Sequence, residues 1–293
     1  MPIKISDQAR SKLNEWKDDS GEVKLPFEAP VFWVLNGSAQ YKPLVKISPA
    51  LYFGGFASSA NEIEMLGVGI AAVKHEFTPR GAEQSIEIYS TRKLLVAPFG
   101  KRLSSVEKET GIRHPGYHKG ASPHLQIVAY MAEYNEAEKT IVPVCPVVIT
   151  AKGYQVGNIL DALREFSSKT MQARKKYAEG LRAEMFYCQL GTFGDKFTGK
   201  MVGGEGKQSP ITPIVARLPE TIDEKFIEMM FVGENMADEL TSLHEQCADW
   251  LNAWKEVKTD APRNSNGHNT NGDSDSVPEA PPEPPSEEGE YPF

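Results

Sequence analysis

Cysteine is scarce in this chain: Cys145, Cys188 and Cys247 are widely separated and form no CxxC pair. That spacing offers neither a disulfide framework nor a zinc ribbon, so the three are expected to be core residues in a reducing compartment. No apolar run approaches the roughly 18 residues needed to cross a bilayer, and residues 1–16 lack the apolar stretch of a signal peptide. A soluble intracellular protein is expected. A net positive charge is also absent, since the formal charge is −8. Its distribution is uneven, however. Residues 260–293 hold eight acids against Arg263, which leaves −1 for residues 1–259. The acidity therefore belongs to a terminal appendage, as in an interaction tail. With 293 residues and 40% hydrophobic content, the rest can bury a core, which excludes a wholly disordered or fibrous chain.

Short β-branched or aromatic runs punctuated by Gly and Pro occupy residues 31–35, 43–47, 67–77, 85–89 and 93–99, and further strands are expected at 125–134, 141–150, 184–192 and 211–217. Ser6 can cap a short helix carrying Ala9, Leu13 and Trp16. Val156, Ile159, Leu160, Leu163 and Phe166 predict a second helix between strands. Met236, Leu240, Leu243, Cys247, Trp250 and Trp254 alternate steps of four and three, a heptad seam on a helix of about five turns. That seam would either pack on its own domain or join two copies of the chain. The fold class expected is α+β: a β-rich body over residues 1–258, an OB-fold-like barrel with an inserted helix and a long C-terminal helix. Residues 259–293 pass through an Asn, Gly, Ser and Asp stretch and then a Pro and Glu stretch, a composition expected to be disordered.

The chain closes on Glu287, Glu288, Gly289, Glu290, Tyr291, Pro292 and Phe293. Phe293 can enter a small apolar pocket while its carboxylate and the three glutamates meet Lys or Arg at the rim. Linker and tip together resemble the single-stranded DNA-binding proteins of bacteria and phages, whose acidic tails end in Pro-Phe or Phe. Here Glu replaces the usual Asp, Gly289 interrupts the acids, and Tyr291 stands where Ile is common. The resemblance covers about a tenth of the chain. It implies that Glu287, Glu288, Glu290, Pro292 and Phe293 recruit replication, recombination and repair proteins and compete with DNA for the body's own groove. It also implies a cytoplasmic location in a bacterium or a phage-infected host.

Residues 92–124 carry Arg92, Lys93, Lys101, Arg102, Lys108, Arg113 and Lys119 against Glu107 and Glu109, a local net of +5. Tyr117 lies among them, giving the mixture of cation and aromatic that single strands use for phosphate contact and base stacking. A second basic group, Lys169, Arg174, Lys175, Lys176 and Arg182, reads better as the solvated face of a helix. Trp33, Tyr41, Lys42 and Lys46 form a third candidate surface, because strand alternation would send Phe32 and Trp33 to opposite faces. Lys196, Phe197 and Lys200 sit in a glycine-rich loop that could also touch DNA.

Residues 194–200 match the start of a phosphate-binding loop, but Met201 replaces the required Ser or Thr and the glycines after it cannot continue as a helix. His114, His118 and His124 have no neighbouring Cys or Asp to complete a zinc site, so a basic, stacking loop is the preferred reading and no metal or cofactor is expected. No residue set makes a convincing enzyme. The expectation is a non-enzymatic single-stranded DNA-binding protein. The alternatives are a strand-annealing or recombination-mediator protein, supported by the heptad seam, and an assembly protein whose tail is only an adaptor.

Overall fold

In the computed structural model, the described residues are 24–35, 53–56, 73–77, 86–91, 93–192, 200–202 and 209–255. The expected helix from Ser6, the strand at 43–47 and the linker and tip lie outside them. The framework is a meander of three long antiparallel strands, β5 (Lys93–Val106), β7 (Ser122–Asn135) and β8 (Thr140–Lys152). Asn135 turns the chain between β7 and β8, its side-chain oxygen accepting the amides of Ala137 and Glu138 at 3.0 and 3.2 Å.

The sheet grows outward on both sides of this meander. On one side β5 pairs β9 (Cys188–Gly191), which pairs β12 (Val215–Ala216). On the other, β8 runs parallel to β1 (Val31–Val34), followed antiparallel by β2 (Gly54–Phe56), β4 (Ile86–Thr91) and β3 (Val73–Phe77). A short β6 (Arg113–Pro115) folds back on the end of β5. The result is a mixed α/β protein built on a curled, open half-barrel of sheet. Gly54 is required where β2 approaches β1, since a Cβ there would collide with the Phe32 ring and the Trp33 carbonyl. Residues 200–202 and 209–211 form a separate two-stranded ribbon, β10 and β11. A strand, not a helix, therefore follows Lys200.

Helices cover both faces of the meander. The first, α1 (Tyr154–Tyr177), buries Val156, Ile159, Ala162, Phe166 and Thr170, as its apolar spacing predicts, and lies against β7, β8, β9 and β12. Its basic last turn, Arg174, Lys175 and Lys176, complements the carbonyl end of the helix dipole. A second helix that the apolar pattern does not signal, α2 (Glu224–Met230), is capped by Asp223, which accepts the Phe226 amide at 2.9 Å.

The predicted C-terminal helix is present but broken. It starts as α3 (Glu234–Gln246), stops at Cys247 with ψ near 0°, and resumes as α4 (Ala248–Asn252). Met236, Leu240, Cys247, Trp250 and Trp254 are all buried. The heptad seam thus packs against its own sheet, chiefly on β5. All three cysteines are buried free thiols. Burial pushes Cys145 up to about 12 and Cys247 up to about 11, and raises Cys188 still further. Among the described residues no helix is long and apolar enough to cross a membrane.

Candidate nucleic-acid interface

Strand geometry disperses the basic segment that is contiguous in the sequence. Fourteen residues of β5 span about 45 Å, so Lys93 at its start is exposed far from Arg113 and Tyr117 at its other end. Between them, successive side chains alternate in direction. Lys101 points to the face covered by α1, where burial first and then Arg164 lower its pKa. Arg102 points to the opposite face, beneath α4.

Arg102 is 4% exposed. Its guanidinium lies 3.7 Å from the Trp250 ring centre and 4.2 Å from that of Trp254. Two of its nitrogens donate to the Gln126 side-chain oxygen at 2.8 and 2.6 Å, and a third donates to the Trp250 carbonyl at 3.2 Å. Arg113 is also buried, donating to the Ser104 hydroxyl and lying 4.4 Å from the Trp254 ring centre. These two arginines hold the C-terminal helices onto the sheet. Their enclosure runs against the sequence expectation of exposed phosphate contacts: a basic residue inside a strand is here paired inward with a tryptophan 148 residues further along the chain but adjacent in the fold. Trp33 is corrected in the same way. Both Phe32 and Trp33 are buried because each face of β1 is covered.

The meander end nearest Arg113 is different. The loop between β6 and β7 exposes Tyr117 and Lys119, with 63% of Tyr117 open to solvent, and the turn between β5 and β6 exposes Lys108. Register brings His124 opposite both Ser104 and Lys152, and the Gly153 amide donates to the Pro123 carbonyl at 2.9 Å. Lys152 and the exposed Tyr154 therefore sit at the same end of the sheet as that loop. The sequence reading overlooked this second aromatic and cation pair, because Tyr154 opens a helix and Lys152 closes a strand some thirty residues downstream. Burial first and then Arg113 lower the Lys152 pKa. His124 is pushed down to about 3 by burial, with Lys152 and Arg113 adding repulsion, so it is neutral near pH 7.

The loop itself is tightly organised. Ser105 donates its hydroxyl to the Gly116 carbonyl at 2.8 Å and accepts the His118 amide at 3.0 Å. Gly116 and Gly120 have φ of 65° and 85°, a left-handed backbone suited to glycine. His114 and His118 stack with ring centres 3.8 Å apart, and Nε2 of His114 lies 2.8 Å from Oε1 of Glu107.

The basic face expected on α1 is laced with local ion pairs: Arg164 with Asp161 at 2.9 Å and Lys169 with Glu165 at 2.5 Å. This is the pattern of a solvated helix surface. Of the remaining candidates, Lys200 lies in β10, while Tyr41, Lys42, Lys46, Arg92, Lys196 and Phe197, with the whole acidic tip, fall outside the described residues. Comparisons with protein-family models, curated proteins and solved structures gave no match.

Proposed function

We propose that this chain is a non-enzymatic single-stranded DNA-binding protein of replication, recombination or repair, whose acidic tip recruits partner proteins and competes with DNA. The observation that carries the reading is the pairing, within one chain, of an acidic sequence reaching Pro292 and Phe293 with an exposed aromatic and cationic loop, Tyr117 and Lys119. Aromatic rings stack on bases of any identity, and lysines track the backbone phosphates, so the combination suits a strand held without sequence preference. Lys108, Lys152 and Tyr154 extend the same end of the sheet. A curled, open sheet is compatible with an OB-like scaffold, in which single strands lie across the sheet and its loops. Burial of the heptad seam takes away the feature that favoured an annealing protein.

Fluorescence anisotropy of labelled single-stranded and duplex oligonucleotides tests this at two salt concentrations. The titrants are the full chain and a chain lacking residues 287–293. Selective, salt-sensitive binding of single strands that tightens without the tip is expected. No binding by either protein overturns the DNA reading, and weaker binding after deletion overturns the competition.

A further inference from the structure

We propose that Glu107, His114 and His118 bind one divalent transition-metal ion of the zinc class, leaving a coordination position for water. This inference stands independently of the DNA reading. The possible ligand atoms of the three residues lie within 4.8 Å of one another. They come from two adjoining structural positions: the first residue after β5, and β6 with the turn that follows it. Two imidazoles and one carboxylate suit zinc and related ions, which take nitrogen and oxygen ligands at about 2.0–2.2 Å.

The surroundings of the three side chains support ligation. Thr110 donates its hydroxyl to Oε2 of Glu107 at 2.5 Å, leaving Oε1 directed at His114. Such an outer hydrogen bond orients a ligating carboxylate. The Glu107 backbone is fixed by its amide donating to the Ile112 carbonyl at 2.9 Å. The His118 backbone is held by Ser105, while its imidazole is exposed and can turn. Metal entry needs a small rearrangement. The His114 and Glu107 contact widens from 2.8 Å to about 3.3 Å, the edge of a tetrahedron with bonds near 2.0 Å. His118 leaves its parallel stack, since two stacked rings cannot both aim in-plane lone pairs at one ion. His124 is not part of the set.

The test is isothermal titration of the full chain with zinc chloride near neutral pH, after EDTA treatment and dialysis. One zinc per chain is expected, with affinity falling at least tenfold in His118→Ala and in Glu107→Gln. His124→Ala, and His268→Ala in the linker, should leave the isotherm unchanged. Because His114→Ala could disturb the loop, the exposed His118→Ala carries the decision, with circular dichroism confirming its fold. Cobalt(II) provides a second readout: visible d–d absorption should appear with the wild-type chain and be lost in His118→Ala. No zinc uptake, or the same isotherm in His118→Ala and Glu107→Gln as in the wild type, would overturn the site. In that case the cluster is only a hydrogen-bonded ion pair beside a stacked ring.

Discussion

Arg102 and Tyr117 come from one basic stretch of sequence, yet they occupy opposite kinds of environment. Arg102 is enclosed by two tryptophans and an amide; Tyr117 stands in solvent on a glycine-shaped loop. Charge counted along a chain therefore mixes two populations. One consists of cations whose apolar stems and planar heads are used to close the core, and the other of cations left exposed at the rim.

The comparison can be broken most severely at the enclosed end. Trp250→Ala removes one wall around Arg102, and loss of a buried tryptophan should destabilise the fold by about 3–5 kcal/mol. Urea denaturation followed by circular dichroism measures this; a change no larger than that of a surface substitution would mean the cage does not hold the helices. Gly54→Ala is next. Its added methyl meets Phe32 and the β1 backbone, and overpacking of this kind should cost about 1–3 kcal/mol. The same denaturation curve should show it.

A third test uses acid. The unfolded chain protonates His124 near its ordinary pKa, whereas the folded chain resists until about pH 3. The unfolded state therefore binds more protons in that window, so stability falls as pH drops from about 6.5 towards 3. His124→Gln should flatten this slope, and an unchanged slope would place the acid sensitivity elsewhere. The smallest effect on stability belongs to the rim. Tyr117→Ala should change unfolding by no more than about 0.5 kcal/mol while weakening single-strand affinity by about 1–3 kcal/mol, the worth of one stacked base. Titration of a labelled oligonucleotide separates the two; a stability loss matching the affinity loss would make Tyr117 structural.

The strongly apolar cores of β1, β7 and β8 were legible from their β-branched runs, and α1 from its 3.6-residue spacing. The second half of β5 was not. The expected strand ends at residue 99, and Lys101 and Arg102 count only as part of a basic stretch, because nothing local reveals that tryptophans from the C-terminus will cover Arg102 or that Arg113 will satisfy Ser104. The seam from Met236 to Trp254 correctly marked a burying face. Its break at Cys247 leaves no apolar signature, since it lies in the backbone of one residue, with ψ near 0°, and the apolar spacing runs on through it to the buried Trp250 and Trp254. The histidine cluster was half visible. Glu107, the residue that completes it, was counted only as a charge opposing DNA.

The parallel pairing of Val31 with Val148 has a consequence for how the chain is made. During synthesis β1 leaves the ribosome more than a hundred residues before its partner β8 exists. At about 5–20 residues per second that interval is on the order of ten seconds. Throughout it Phe32 and Trp33 have only the short strands β2, β4 and β3 to join, and the long loop closure still to come slows their docking on the meander. Chaperone capture of nascent chains should therefore be greatest between the emergence of these two aromatics and the completion of β8.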